Sequence, residues 1–309
     1  MISRGAESTV AENKPGGRLH HFIMADKAVR GAVVDGTTVV RAMRAAHGLG
    51  VLETLVLGHA GLGVLLLSAG LKGRDRMGLQ IDCSGPIKGL TVEADAGGMV
   101  RGYLKQVPIP IDQPLESFNL SPFFGAGFVT VTRYLQDAKQ PFAGKSVLRF
   151  GNIAQDLAYH FLTSEQLPTA FNLSVKFDSH GEVYGAGGLF LQAMPGADEN
   201  LMAELDNCLT DFPSLGAYLG ENGDPVALVQ EKLNYFAPQL LATKRVAFRC
   251  SCNSERLRGI LLGLPIAELD DILANGPFPV ELRCHFCSQV YLFDRRDIEA
   301  IRAAHLSTH

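Results

Sequence analysis

The sequence predicts an α+β protein with three parts: a mainly antiparallel core domain with packed helices, a helical linker, and a small C-terminal domain containing four cysteines. Short apolar runs bounded by glycine dominate the first two-thirds of the chain. Helices do not alternate with every strand, which favours antiparallel sheets over a parallel wound sheet. Four of the six cysteines lie between residues 250 and 287. With 309 residues, 47% of them apolar, the chain can form a large core and about two domains.

The core domain is predicted to cover residues 18–195, after a polar extension at 1–17 that we expect to be disordered. Two strands flank a turn at 25–27, and a helical pattern begins at Thr37. The long apolar stretch at 49–71 predicts a buried helix rather than a membrane span, because polar residues and glycines interrupt it. The remaining predicted elements are strands at 77–83, 88–94, 99–105, 127–133, 145–150, 171–177 and 183–191, and a helix at 152–163.

The helical linker is predicted at residues 196–244, where 8 acidic and 2 basic residues give a local charge of −6 in a chain of net charge −4. Its apolar residues recur at helical spacing, and Pro213 and Pro238 divide it into separate helices. Ordinary packing of helices onto the core explains this pattern on its own. The apolar positions are Leu201, Leu205, Cys208 or Leu209, Val226, Val229, Leu233 and Phe236.

The C-terminal domain is predicted at residues 245–309, where 8 basic residues balance 8 acidic ones. Glycine and proline at 276–277 form a typical helix stop signal. The predicted elements are a short strand at 246–248, two short helices after residue 253, a hairpin of 280–282 and 290–293, and a final helix capped by Asp294 with Ile298 and Ile301 facing inward.

The four clustered cysteines form two close pairs with the spacing of a metal site. Cys250 and Cys252 are one pair, and Cys284 and Cys287 are the second, in a turn between strands. Tetrahedral Zn²⁺ takes four thiolate ligands, and two chelating pairs supply them while ordering only two short loops. The alternatives are four buried free cysteines or two structural disulfides. Free core cysteines have no reason to pair in this way, and stable cytosolic disulfides are rare. The sequence therefore predicts one Zn²⁺ per chain.

A four-thiolate site has no open coordination position, so we do not expect catalytic zinc. The chain also lacks a nucleophile elbow, a P-loop and a dinucleotide fingerprint, and we predict no enzymatic activity. Redox reactivity remains as a use for the site, because bound thiolates can be oxidised and each close pair can form a disulfide. His285 is expected at the surface rather than as a fifth ligand. Cys83 and Cys208 lie in apolar patterns and are expected to be small core residues.

Composition also limits the compartment and the partners. The polar N-terminus has no apolar segment of signal-peptide length, which predicts a cytoplasmic protein. A net charge of −4 gives no electrostatic surface for nucleic acid or for an anionic membrane, so we expect neither as a partner.

Stretches along nearly the whole chain resemble one known family. The combination of SEQ-x-P, AGG-x-x-x-Q and the two cysteine pairs is specific, and on it the sequence resembles the redox-regulated 33-kDa heat-shock chaperones, an ATP-independent holdase family of the bacterial cytosol. The stretches that carry the resemblance are LLLSAGLKG (65–73), LQIDCSGPIKGLTVEADAGGMVRGYL (79–104), IAQDLAYHFLTSEQLPT (153–169), GAGGLFLQAMPGA (185–197), CSCNSERL (250–257) and VELRCHFCSQVYLF (280–293).

The resemblance implies a redox switch. In the reduced form, the four cysteines would bind zinc and keep the chaperone inactive. Oxidation would form Cys250–Cys252 and Cys284–Cys287 disulfides, release zinc, and unfold first the zinc domain and then the linker. Unfolded client proteins would bind the exposed surface, and the active form would be a homodimer. On this hypothesis the client-binding residues are those of the apolar linker face: Leu201, Leu205, Val229, Leu233 and Phe236.

Two other functions fit the cysteines less well. A constitutive zinc module that binds nucleic acid or a protein partner would need a basic face, and the balanced charge of the C-terminal domain argues against one. A thiol-disulfide oxidoreductase that uses CHFC would place the motif between a strand and a helix, whereas the sequence predicts it between two strands.

Overall fold

The computed structural model describes residues 16–111 and 117–308. Strands form two large sheets and a small C-terminal hairpin. Sheet A has the order β10-β1-β2-β9-β8, and each neighbouring pair in it is antiparallel. Its strands are β1 (Arg18–Met24), β2 (Val29–Asp35), β8 (Thr169–Phe177), β9 (Val183–Ala193) and β10 (Gln239–Arg245).

Sheet B has the order β11-β5-β4-β3-β6-β7 and is antiparallel except at one edge. There the two-residue strand β11 pairs in parallel with β5, Ala247 opposite Met99 and Phe248 opposite Val100. This edge joins the C-terminal domain to the core. The strands are β3 (Arg76–Cys83), β4 (Gly89–Asp95), β5 (Met99–Leu104), β6 (Gly127–Tyr134), β7 (Phe142–Val147) and β11 (Ala247–Phe248).

A helix that is apolar on all sides lies between the two sheets. This helix, α2 (Val51–Leu67), is buried at nearly every position and contacts strands of both sheets. A helix without a polar face must be covered on every side, which explains its place in the middle of the core. The predicted buried helix is therefore confirmed. Within the described part of the chain, no helix combines the length and apolar character needed to cross a bilayer.

Shorter helices complete the core domain. Gly36 precedes α1 and Gly48, in the left-handed region, ends it. Asn152 caps α4 by accepting hydrogen bonds from the amides of Ala154 and Gln155. These helices are α1 (Thr37–His47), α3 (Ser121–Phe124) and α4 (Ile153–His160), which continues into a π-helical turn at Phe161–Glu165.

The linker helices cover the face of sheet A that points away from α2. Helix α6 lies directly on β9, because glycines meet there: a side-chain carbon on Gly185 would lie 2.1 Å from the carbonyl oxygen of Gly216. Strand β9 is consequently buried on both faces except at Tyr184. The linker contains α5 (Glu199–Thr210), α6 (Leu215–Gly220), α7 (Pro225–Lys232) and a 3-10 turn at Asn234–Phe236.

The fold class is confirmed, but some boundaries differ from the sequence-based expectation. The end of the predicted helical linker is the strand β10, which pairs with β1 at the edge of sheet A. Leu240 and Leu241 are both about half exposed, so this edge strand lacks the apolar-polar alternation that reveals a strand. Residues 145–150 were expected as a strand, whereas β7 ends at Val147. The expected disorder of residues 1–17 falls almost entirely outside the described residues.

The C-terminal domain has a small core of its own. Its hairpin and final helix lie where the sequence predicts them, and Asp294 caps the last helix, since its carboxylate accepts from the amide of Asp297 at 2.9 Å. Ile298 and Ile301 are buried as expected. The elements are α8 (Ser254–Leu262), α9 (Ile266–Asn275), β12 (Val280–Arg283), β13 (Val290–Phe293) and α10 (Arg295–Thr308).

Candidate metal centre

Two short backbone segments bring the four predicted cysteines together. Cys250 and Cys252 follow β11, and Cys284 and Cys287 lie in the turn between β12 and β13. The turn is tight because the amide of Ser288 donates to the carbonyl of Cys284 at 2.8 Å, with Ser288 in the left-handed region. This knuckle points both of its thiols at the first pair.

The spacing of the sulfurs fits a tetrahedral thiolate site. All four Sγ atoms lie within 4.8 Å of one another, with Cys250 and Cys284 at 3.7 Å and Cys252 and Cys287 at 3.3 Å. Four sulfurs each about 2.3 Å from a zinc ion at the centre of a tetrahedron would be roughly 3.8 Å apart. A disulfide needs about 2.05 Å, and all four cysteines are free thiols. The donor set therefore suits a soft, tetrahedral cation such as Zn²⁺.

The four thiols do not share one electrostatic environment. Burial alone would raise the pKa of Cys250, but hydrogen bonds from Cys252 and Arg101 outweigh it and lower that pKa. Burial raises the pKa of Cys284 and of Cys287 above the ordinary thiol value. Cys250 is thus a thiolate more readily than the second pair, and a bound cation would be needed to hold all four sulfurs deprotonated at neutral pH.

Two side chains outside the cysteine set support the sulfurs. The hydroxyl of Tyr291 donates to Cys252 Sγ at 3.2 Å. Arg101, on β5 of the core, lies with Nη1 3.9 Å from Cys250 Sγ and donates to Glu93 Oε2 at 2.9 Å. Sequence reasoning missed both residues. Tyr291 lies only four residues after Cys287 and could have been considered, whereas nothing in the sequence links Arg101 to a cysteine 149 residues away.

The knuckle also docks on the core domain. The guanidinium of Arg101 stacks over the ring of Phe286 at 4.2 Å, and Tyr103 meets the same ring edge-on. On the other side, His47 of α1 hydrogen-bonds to the hydroxyl of Ser288 at 2.8 Å and to the carbonyl of Phe286 at 3.2 Å. The metal centre is therefore fastened to sheet B and to α1 through its own turn residues.

The other cysteines and His285 lie outside the centre. His285 is exposed beside the ring of Tyr103 and does not belong to the four-sulfur cluster. Cys83 and Cys208 are partly buried against the two large apolar clusters of the core and linker. The surface position of His285 agrees with the sequence analysis, and the two cysteines contact the core as expected but are only partly buried.

The five linker residues predicted to bind clients share one apolar cluster with sheet A. Leu205, Val229, Leu233 and Phe236 are each at most 4% exposed, and Leu201 packs against the same cluster. The structure brings them together but covers them. Their partners in the sheet are Phe22, Met24, Val29, Val33, Leu189 and Leu191.

Comparisons with known proteins agree with this architecture. Residues 17–294 match the family model described as Hsp33 protein. A 33 kDa chaperonin of Ruminiclostridium cellulolyticum is 35% identical over 292 residues, which cover 90% of this chain and 98% of that protein. A 33 kDa chaperonin of Thermus thermophilus is 35% identical over 306 residues, covering 93% and 87%.

Among solved structures, the crystal structure of the 33 kDa chaperonin (heat shock protein 33 homolog) from Thermotoga maritima superposes with a TM-score of 0.85 at 29% identity, over 95% of this chain and all of that one. The family matched is a family of chaperones and not of enzymes. From the family match over most of its length and from these relatives, the chain belongs to the Hsp33 family.

Proposed function

We propose that this chaperone is a redox-regulated, ATP-independent holdase whose C-terminal domain is the switch. The observation that carries the proposal is the cluster of four free thiols at tetrahedral spacing in a domain with only six buried apolar side chains in its described core. Zn²⁺, when bound, would hold the four sulfurs as thiolates and tie the two cysteine loops together. A core of this size supplies at most about 3–5 kcal/mol, so the domain depends on its sulfur cluster for its fold.

Oxidation would remove the ligands that hold the domain together. Two thiolates, one molecule of hydrogen peroxide and two protons from solvent give one disulfide and two molecules of water. Each pair therefore loses two electrons, and the peroxide takes them up. A cavity of about 460 Å³ lined by Arg76, Arg249 and the first cysteine pair gives solvent access to Cys250 and Cys252. The first pair is therefore within reach of a small oxidant.

We propose Cys250–Cys252 and Cys284–Cys287 as the disulfides, following the resemblance to the family. Residues two or three apart in sequence stay close when the domain unfolds, which supports this pairing. In the folded domain, sulfur contacts of 3.7 and 3.3 Å also join Cys250 to Cys284 and Cys252 to Cys287. Disulfides across those contacts would cross-link the two cysteine loops and keep the domain folded. The pairing therefore decides whether oxidation unfolds the domain. Peptide mapping of the oxidised chain distinguishes the two patterns.

The path of the chain would carry unfolding of the zinc domain to the linker. Strand β10, at the edge of sheet A, is separated by one residue from β11, at the edge of sheet B, and Cys250 follows two residues later. Lys244 of β10 fastens this region by donating to the carbonyls of Ser68 and Ala96. Unfolding of the two cysteine loops would detach β11 from sheet B first and then β10 from sheet A. Because β10 follows the linker helices directly, its pairing with β1 holds the end of the linker against the core.

Release of the linker would uncover two complementary apolar surfaces. One is the linker face that includes Leu205, Val229 and Phe236, and the other is the outer face of sheet A that includes Val33 and Leu191. Contiguous apolar surface of this kind binds unfolded chains. The acidity of the linker, −6 over residues 196–244, lowers the stability of its packed form and keeps the released form in solution. We further propose, from the family resemblance, that the active form is a cytoplasmic homodimer.

An aggregation assay with a heat-denatured enzyme tests the proposal. Reduced, zinc-loaded protein should leave aggregation unchanged, and peroxide-treated protein that has lost its zinc should suppress it. A variant with Cys250→Ser and Cys284→Ser should not respond to peroxide in this way, whereas the matched control with Cys83→Ser and Cys208→Ser should. Equal suppression by the reduced and oxidised forms would refute the switch and support a constitutive zinc module.

A further inference from the structure

A second polar cluster lies on the core domain, away from the cysteines, where the cleft between the two sheets opens beside the end of α2. The cleft holds a cavity of about 250 Å³. Arg30 of β2 and Arg133 of β6 reach it from opposite sheets. His21 and Asp75 also line it, and the rest of its wall is apolar. The wall residues used below are Leu66, Met77, Phe161 and Phe190.

The side-chain hydrogen bonds of Arg30 go to a neutral amide and not to a carboxylate. Its Nε donates to Gln192 Oε1 at 2.9 Å, and Nη2 donates to the same oxygen. Gln192 is 1% exposed and its own amide donates to Thr169. Among the side chains that the structure describes, no carboxylate forms an ion pair with Arg30. A partly buried guanidinium that faces a cavity and bonds only a neutral amide is an anion-binding group.

The second guanidinium is already paired. Arg133 Nη2 lies 2.5 Å from Glu165 Oε2, at the end of the π-helical turn, and such turns are frequent at functional sites. Burial lowers the pKa of Arg30, and the charge of Arg133 lowers it further, while Glu165 acts in the opposite direction. Asp75 also lines the cavity, so the formal charges of these four groups sum to zero, and Arg30 differs from Arg133 in having no directly bonded carboxylate.

Two motifs that the redox switch does not use meet at this cavity. Glu165 is the second residue of SEQ-x-P, and Gln192 is the last residue of AGG-x-x-x-Q. One holds Arg133 and the other holds Arg30, although they lie on different elements of the fold. The four side chains form one arrangement that positions both guanidiniums.

We propose that this cavity binds a small organic monocarboxylate, with its carboxylate on Arg30 and its apolar body against Phe161, Phe190 and Met77. Arginine pairs with carboxylates through two parallel hydrogen bonds, and the apolar part of the wall suits a hydrocarbon group. The volume lies below the roughly 300–1,000 Å³ of pockets for drug-sized ligands, so the ligand is small. Asp75 lines the same cavity, and its charge disfavours multiply charged anions such as phosphate. This site is independent of the redox switch.

Titration of the reduced, zinc-loaded chain with sodium hexanoate tests the proposal. Methionine methyl resonances provide the readout, because Met77 lines the cavity while Met24 lies on the opposite face of sheet A. Hexanoate should shift the Met77 signal to saturation and leave Met24 unchanged. Hexanamide, which has the same hydrocarbon chain but no charge, and inorganic phosphate should produce no saturable shift of Met77 at equal ionic strength.

Two arginine variants test whether Arg30 is the group that binds the carboxylate. Arg30→Met should weaken hexanoate binding at least about tenfold, because it removes the hydrogen bonds to a charged group. Arg18→Met, at an exposed position on the neighbouring strand, should bind as the unaltered chain does. Equal binding of hexanoate and hexanamide, no saturable shift, or equal binding by both variants would overturn the proposal. The hexanamide comparison uses the unaltered chain, so it decides the charge requirement even if Arg30→Met fails to fold.

Discussion

Tyr291 illustrates how much of the metal centre depends on a residue that is not a ligand. Its hydroxyl donates to Cys252 Sγ, and burial followed by the proximity of that sulfur raises its pKa, so it remains a protonated donor. Loss of such a supporting hydrogen bond typically weakens metal binding by about 10–100-fold. We expect Tyr291→Phe to weaken zinc binding by at least about tenfold, measured by competition with a chromophoric chelator.

The matched control for this variant is Tyr235→Phe, because Tyr235 is 85% exposed and lies in the linker. It should bind zinc as tightly as the unaltered chain. Equal zinc affinities for Tyr291→Phe and the control would show that the hydrogen bond to Cys252 does not support the site.

His160 makes the core sensitive to acid. It is fully buried, its Nδ1 bonds Ser146, and its Nε2 has no partner in the described structure. Burial, with a contribution from Arg133, lowers its pKa from 6.5 to about 4. Between pH 6.5 and pH 4 this histidine is protonated in the unfolded chain but neutral in the folded chain. The folded state is therefore fully favoured above pH 6.5 and loses this part of its stability as the pH falls towards 4.

When the pH falls from 7 to 5, protonation of this residue in the unfolded chain should lower the free energy of unfolding by about 2 kcal/mol. His160→Gln should remove that part of the pH dependence while all other histidines contribute equally in both chains. Urea unfolding of the core at several pH values measures the difference. Identical pH slopes for the two proteins would show that the buried histidine is not the cause.

At the scale of single residues, the sequence predicts those parts of the site whose residues lie close together along the chain. The four cysteines are found from the sequence because the members of each pair are only two or three positions apart. Local patterns also place His285 at the surface and Cys83 and Cys208 beside the core. Arg101 is not found, because it reaches Cys250 from a strand 149 residues earlier. Such a contact depends on how the sheets are arranged, which no local pattern shows.

At the scale of elements, the contact between β9 and α6 controls how closely the linker packs. A side chain on Gly185 would collide with backbone atoms of Gly216 and Gly220, at 2.1 and 2.6 Å, which cannot move aside as a flexible side chain can. We expect Gly185→Val to displace α6 and expose the outer face of sheet A. On the proposed function, the reduced, zinc-loaded variant should suppress aggregation of a heat-denatured enzyme.

The control substitution is Gly70→Ala, because an added methyl group there meets no atom within 4 Å. It should remain inactive in the reduced state. If Gly185→Val folds with its zinc bound and is equally inactive, exposure of this face is not sufficient for chaperone activity.

The sequence predicts a strand or helix correctly where one face of the element is buried or where the whole element is buried. In sheet B, β4 and β5 alternate buried and partly exposed residues, and α2 is recognisable because it is apolar on all sides. Strand β10 is missed because most of its residues are exposed at the sheet edge and it follows an amphipathic helical region. Its position depends on pairing with β1, more than two hundred residues earlier.

At the scale of the whole molecule, the structure is a stack of layers: linker helices, sheet A, α2 with its neighbouring helices, and sheet B with the C-terminal domain at its edge. Sequence analysis predicts three parts but not their order in space, since the layer order depends on which face of sheet A the linker covers. That order places the proposed client-binding face and the four-cysteine cluster at opposite ends of the short path through β10 and β11.

Zinc removal under reducing conditions separates the role of the metal from that of the disulfides. Structural zinc contributes roughly 10–16 kcal/mol of apparent binding free energy, far more than the small apolar core of the C-terminal domain. A strong chelator with excess reductant should abolish the helical signal of α8 to α10 while the core domain keeps its fold, as followed by circular dichroism and by methionine methyl resonances. Unchanged helicity after complete zinc removal would show that the domain does not depend on the metal.

The central claim is that oxidation at the four cysteines uncovers the interface between the linker and sheet A. Amide hydrogen exchange of the full chain, compared between the reduced, zinc-loaded form and the peroxide-oxidised form, tests it most directly. We expect peptides of α5, α6 and α7 to lose protection on oxidation while peptides of β3, β4 and β6 keep theirs. Unchanged protection of the linker helices in a chain that has released its zinc and formed its disulfides would contradict the account.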